Sequence, residues 1–328
     1  LQSDKNFRQL WNQFNNFETS EVELEWSSDE ASRVIGGKIL NEYGLSNKFI
    51  IGGSADLAAS TKQIISDDTF GSNNFGGNSI EFGIREHAMG GIVNGLALHS
   101  NLIPYGSTFL VFSDYMRPSM RLASLMNVNS LFIFTHDSIY LGEDGPTHQP
   151  IEHLMSLRLI PNLDVIRPSN SMELIHSYRY ALEKRDNPKA IILSRQNMKF
   201  FDNDVSYKDF QTGAYEFMPG SDITLIATGS ELELAFEIST KLKDLSVQII
   251  SAPILNRLNE ERLESLSLNQ NIFTIELGRT IGWDTYIQNI EKSFSIDSFG
   301  ESAPIDQLAE KFNFSAKKIS DEIRSLLN

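Results

Sequence analysis

The chain has 328 residues, 41% of them hydrophobic and 22% charged, which is enough for two domains that each bury a core of their own. Its 28 Lys and Arg against 43 Asp and Glu give a formal charge of −15, which argues against a nucleic-acid partner, and no apolar run reaches the roughly 18 residues of a membrane helix. Without cysteine there are no disulfides, thiol nucleophiles or Cys-ligated zinc, and this fits a cytoplasmic protein.

Residues 1–26 mix polar and aromatic side chains without sheet alternation and read as a connecting arm or helix. The chain starts at Leu1 without an initiator Met and without a signal-peptide pattern, so a piece of something longer is expected. Ser27 and Glu30 have the spacing of a capping box. The apolar positions Ile35 and Ile39 then continue a helix that Gly44 should stop, with Arg33 inside it.

A short buried strand is expected over Phe49–Gly53, followed by a loop or helix start bearing Asp56 and Ser60. Residues 66–79 form a Gly-, Asn- and Ser-rich loop. A strand near Ile80 then turns into a helix that starts near Glu86, a position where a carboxylate also suits the helix dipole. After a strand at Leu102–Tyr105, Phe109, Phe112 and Tyr115 recur every three residues, as a core stripe or as one edge lining a ligand.

The apolar run Ser130–Thr135 reads as a buried parallel strand. It delivers a loop, residues 136–150, with an unusual density of titratable groups, among them His136, Asp144 and His148. A metal site there is the rival reading, but the third ligand and the usual spacing are missing. Helix Gln149–Leu159, strand Leu163–Ile166, helix Ser171–Lys184 and strand Lys189–Ser194 follow, and Arg195 stands at the carboxyl end of the last strand.

Residues 201–220 are polar and rich in breakers and read as a domain boundary. From Asp222 a second alternation begins: a strand, the helix Glu231–Lys243, strand Val247–Ser251, a helix over Glu260–Ser267, strand Ile272–Glu276 and C-terminal helices. The Gly-Ser turn before Glu231 could offer an anion site at the helix start. The fold class is α/β, in two domains that each hold a mostly parallel sheet flanked by helices. The expected divisions are an arm at 1–26, a first domain at 27–205 and a second at 206–328.

Several strings resemble the transketolase family in the same order along the chain: GGSADL at 52–57, EFGIREHAMGG at 81–91, the aromatic segment 105–115, THDSIYLGEDGPTHQP at 135–150 and SRQN at 194–197. The resemblance covers about residues 27–328. It implies a thiamine-diphosphate-enzyme pyrimidine-binding domain followed by the transketolase C-terminal domain. Tyr140 is bulkier than the small residue of the family pattern.

By this resemblance Glu86 faces N1′ of the aminopyrimidine of thiamine diphosphate, with Phe109, Phe112 and Tyr115 walling and stacking on that ring and Asp56 near the thiazolium. Apolar walls would raise the carboxyl pKa of Glu86 and suit it to proton exchange. Arg33, Ser60, His136 and Arg195 would hold a sugar phosphate, Asp144 would select the C2 hydroxyl configuration, and His148 would contact the reacting hydroxyls. The implied reaction moves a two-carbon ketol unit from a ketose phosphate to an aldose phosphate in the pentose phosphate pathway, within a homodimer.

The family's N-terminal domain, which holds the diphosphate and its Mg or Ca through a Gly-Asp-Gly motif, has no counterpart in this sequence. No metal ligand is therefore assigned to this chain, and the chain alone is expected to be inactive. The alternatives are a non-catalytic dimerisation or regulatory module, and a relative such as deoxyxylulose-phosphate synthase.

Overall fold

The computed structural model describes residues 5–15, 22, 29–65, 68–199, 201 and 204–327. A two-residue strand β1 (Glu30–Ala31) leads into the helix Ser32–Ser46. It is followed by β2 (Ile50–Ser54), β3 (Ser79–Glu81), β4 (Ile103–Phe109), β5 (Leu131–Thr135), β6 (Asp164–Ile166) and β7 (Lys189–Leu193). Strands β2 to β7 form one parallel sheet in the order β3-β2-β4-β5-β7-β6. Short β8 (Asn197–Met198) folds back antiparallel on β1.

The second sheet contains β9 (Tyr215–Met218), β10 (Ile223–Ala227), β11 (Val247–Ser251), β12 (Asn271–Ile275) and β13 (Ile290–Phe294), in the order β13-β12-β10-β11-β9. It is parallel except for its edge strand β9.

Strand β5 shows why the first sheet is buried on both sides. Successive side chains point to opposite faces, so Leu131 and Ile133 join Ile35, Ile39, Leu174 and Tyr178 in one apolar cluster. Phe132 and Phe134 join Met89, Val93, Met116 and Met120 in another. The helices Ser32–Ser46 and Ser171–Glu183 therefore cover one face, while Glu86–His99 and Ser113–Leu125 cover the other. Those last two helices approach closely at Gly90, where a Cβ would lie 2.8 Å from the Cβ of Ser119.

The expected strands that position the site are present within a few residues, and the two sheets agree with the expected fold class. Several local expectations are corrected. Ser27 lies outside the described residues, and Glu30 belongs to β1 opposite Met198, so the first long helix starts at Ser32 after Ala31, which makes no side-chain cap. That helix passes through Gly44, whose close fit against Ile65 leaves no room for a side chain, and ends at Ser46.

The helix expected from Gln149 begins only at His153, because the Gln149 amide instead donates to the carbonyls of Ile139, Gly142 and Glu301. Within the arm 1–26, residues 5–15 are helical; outside 5–15 and residue 22 the arm is not described. Strand β4 extends to Phe109, so the aromatic triplet is not one helical stripe. The stretch 201–220 includes the helix Tyr207–Gln211 and the strand β9.

Candidate functional site

In a parallel α/β sheet, ligands gather at the carboxyl ends of the strands, where the topology changes direction. Here β2 leads to Asp56, β3 to Glu86, β4 to Phe109, β5 to His136 and β7 to Arg195. The residues singled out in the sequence are thus delivered to one end of the first sheet, which follows from their positions just after apolar strands.

The aromatic triplet spans three local structures. Phe109 ends β4, Phe112 ends a 3₁₀ turn, and Tyr115 stands in the following helix. Their rings form a ladder, with Phe109 and Phe112 5.9 Å apart at 9°, and Phe112 and Tyr115 6.0 Å apart at 28°. Phe109 is buried, whereas Tyr115 is 63% exposed, so one end of the ladder is open. The His136 imidazole stacks on Phe109 with centroids 3.7 Å apart, and His148 meets Phe112 edge-on at 5.7 Å.

His136 is buried in the left-handed backbone region with φ 61, and its Nδ1 lies 2.8 Å from Thr135 Oγ1. Burial, together with the charges of Arg33, Arg195 and His148, pushes its pKa from 6.5 down to about 3. It is therefore neutral at physiological pH. Arg33 is half-buried, donates to the Ser60 carbonyl, and is lowered by burial and then by Arg195. Among the described residues, no carboxylate lies within ion-pair distance of Arg33 or Arg195. Two guanidiniums facing two imidazoles without an acid suit a multivalent anion such as a phosphate ester.

Both arginines line a cavity of about 760 Å³ whose far wall comes from the second unit, including Ser230, Glu233 and Phe314. Tyr140 lines it too, and its hydroxyl donates to the Phe314 carbonyl at 3.0 Å. The bulk of this side chain is thus spent on docking the loop against the second unit. Asp56 is not in this group. It lines a second cavity of about 680 Å³ with Ser54, Glu81 and Arg85, the residue before Glu86.

Glu86 is 8% exposed at the first position of its helix. Asp144 is exposed between Gly142 and Gly145, both at positive φ, while His148 is half-buried with its Nδ1 3.0 Å from Thr147 Oγ1.

Sequence reasoning missed a buried polar layer just behind this site. Arg167 is fully buried and bonds Asp137 Oδ2 through Nε at 3.1 Å and Nη2 at 2.7 Å. It also pairs with Glu231, and Arg158 pairs with Glu276 through two bonds of 2.8 and 2.7 Å. Glu231 stands at the helix start where the sequence suggests an anion site, but its carboxylate turns to Arg167 and to the backbone N–H of Leu277. Burial raises Glu231, whereas Arg158 and Arg167 overcome burial to hold Glu276 below the usual carboxylate range.

A second missed group is Asp114, Glu152 and His153, whose donor atoms lie within 4.8 Å of one another. The carboxylates address opposite ring nitrogens, Asp114 at 3.2 Å from Nε2 and Glu152 at 3.9 Å from Nδ1. That geometry ties the helix of Tyr115 to the segment after His148.

The family profile of the transketolase pyrimidine-binding domain matches residues 31–200, and that of the transketolase-like C-terminal domain matches residues 213–315. A transketolase of Staphylococcus aureus is 41% identical over 326 residues, covering 95% of this chain and 49% of the relative. The structure of transketolase from Campylobacter jejuni superposes with a TM-score of 0.89 at 34% identity, over 99% of this chain and 51% of that one. The chain thus spans about half the length of the curated relatives it matches. A structure described as a split gene transketolase, inactive beta4 tetramer, shares the fold with a TM-score of 0.75 at 24% identity and is covered over 99% of its length.

Proposed function

The chain belongs to the transketolase family, and from that premise we propose that it supplies the pyrimidine side of a thiamine-diphosphate-dependent transferase of two-carbon ketol units between sugar phosphates. The observation that carries the substrate class is the cluster of Arg33, Arg195, His136 and His148, in which neither arginine has a carboxylate within ion-pair distance among the described residues. Arg33 and Arg195 would bind the phosphate, with His136 and Ser60 beside them. Burial, and then the charges of Arg33, Arg195 and His148, keep the pKa of His136 low; an arriving dianion would offset the repulsive part and favour the protonated ring. Asp144 and His148 would address the sugar hydroxyls.

The residues present fit the aminopyrimidine end of the cofactor. The ladder of Phe109, Phe112 and Tyr115 is open at its outer end and offers a stacking face. Glu86 would hold a proton at the ring nitrogen facing it, and Asp56 would lie toward the thiazolium. When bound, thiamine diphosphate supplies the electron sink for cleavage of the carbon–carbon bond. The sequence has no Gly-Asp-Gly string for the diphosphate and its Mg or Ca, so that side is assigned to a transketolase N-terminal domain acting with this chain. We read the working enzyme as a cytoplasmic homodimer of the pentose phosphate pathway.

The test is two-carbon transfer from xylulose 5-phosphate to ribose 5-phosphate with thiamine diphosphate and magnesium, by the chain alone and with the N-terminal domain added. Activity only on addition is expected. Turnover by the chain alone would overturn the half-site reading, and silence from a folded, associated pair would overturn the enzymatic one.

A further inference from the structure

The buried charges behind the site join the two units, and they reach the substrate loop at Asp137. Asp137 follows His136, is 2% exposed, and uses Oδ2 for both of its bonds to Arg167. The second unit holds Arg167 from behind. The Thr228 carbonyl and Oγ1 each accept from Nη1 at 3.0 Å, and Glu231 accepts from both terminal nitrogens. The backbone of Arg167 is pinned as well, its N–H donating to the Pro253 carbonyl at 2.8 Å and its carbonyl accepting from Gly229 N–H at 3.1 Å.

His136 is held between two fixed neighbours. Thr135 is the last residue of β5, in register with Leu193 and Phe109, and Asp137 is clamped by Arg167. The residue between them has φ 61, a left-handed conformation uncommon for residues other than glycine.

Stability alone does not explain the clamp. Three carboxylates, Asp137, Glu231 and Glu276, are buried with two guanidiniums, and Asp137 Oδ1 is buried without a hydrogen-bond partner. Such arrangements are often less stabilising than a well-packed apolar core, and what they can offer is a fixed geometry.

We propose that Arg167, locked by Glu231 of the second unit, is a positioning residue that sets the backbone and ring of His136 for the incoming phosphate. The inference rests on the proposed function where it calls His136 a phosphate ligand. It also gives the second unit a part in the site: its Thr228 and Glu231 complete the clamp on the substrate loop.

The test uses the full chain and two readouts that need no turnover, namely the ring ¹⁵N resonances of His136, assigned with His136→Asn, and affinity for inorganic phosphate at pH 7. Glu231→Gln and Arg167→Lys keep size and part of the hydrogen bonding. Both are expected to shift the His136 resonances and to weaken phosphate binding about tenfold. The control is Glu173→Gln, a fully buried carboxylate at the same junction that accepts from Ser251 Oγ at 2.6 Å and the Tyr215 hydroxyl at 2.8 Å. It should lower stability and leave both readouts unchanged.

Unchanged His136 resonances in folded Glu231→Gln and Arg167→Lys would overturn the inference, as would equal changes in Glu173→Gln. Should the wild-type chain bind no phosphate, the phosphate reading of the site fails, and the His136 resonances still decide the positioning role.

Discussion

His136 and Asp137 are neighbours in sequence and belong to opposite kinds of electrostatic environment. His136 joins Arg33, Arg195 and His148 in a group whose charges, where present, are all positive. Asp137 joins Arg158, Arg167, Glu231 and Glu276, where every charge faces an opposite one. The two arginines of the first group border a cavity, whereas the second group is sealed. Charges that the fold has satisfied internally report architecture, whereas like charges gathered without an ion-pair partner among the described residues are what the proposed anion site rests on.

The sharpest way to break this contrast is to remove the hub of the sealed group. Arg167→Met should leave Asp137 and Glu231 buried and uncompensated, with an expected loss of about 3–5 kcal/mol in urea unfolding. A loss below 1 kcal/mol would mean that the layer is wetter or looser than described. The matching change in the open group is Arg195→Ala. It should leave stability within about 0.5 kcal/mol of wild type and weaken phosphate binding by about 1.5–3 kcal/mol, the value of a hydrogen bond to a charged group. Calorimetric titration reads the second effect and denaturation the first.

The open group should also show itself in pH dependence. A histidine whose pKa falls from 6.5 to about 3 on folding adds stability that is fully present above pH 6.5. That contribution is lost as pH falls from 6.5 toward 3, with a slope of up to about 1.4 kcal/mol per pH unit. His136→Asn should remove that slope, and saturating phosphate should reduce it. The smallest effect is expected from Tyr140→Phe, which deletes the bond to the Phe314 carbonyl and should cost about 0.5–1.5 kcal/mol of thermal stability.

The same contrast explains what could be read from the sequence. Two members of the open group, His136 and Arg195, follow strands that are visible as apolar runs, such as residues 130–135 before His136, so they could be placed at strand ends from the sequence. The sealed group could not. Arg167 precedes Pro168 and looks like a surface charge, and its partners lie 30 and 64 residues away, a distance over which no local periodicity operates.

The edge strands β9 and β13 are also illegible, because each is largely half-exposed and mixes charged with apolar residues, Glu in β9 and Glu and Lys in β13. For a related reason the three-residue spacing of Phe109, Phe112 and Tyr115 does not reveal that Phe109 ends β4. β4 runs on through Gly106, Ser107 and Thr108, which interrupt the apolar run that marks the strand although all three are buried.

The layer joining Arg158 and Arg167 to Glu231 and Glu276 has a consequence for anyone who would recombine pieces of this chain. A crossover placed near residue 206, with the second half drawn from a different parent, would ask each guanidinium to find an acid it was not shaped for. Such a chimera has to inherit four residues from both sides of the cut as one set, or none of them. For the purposes of breeding new variants, the two sheets form a single heritable block.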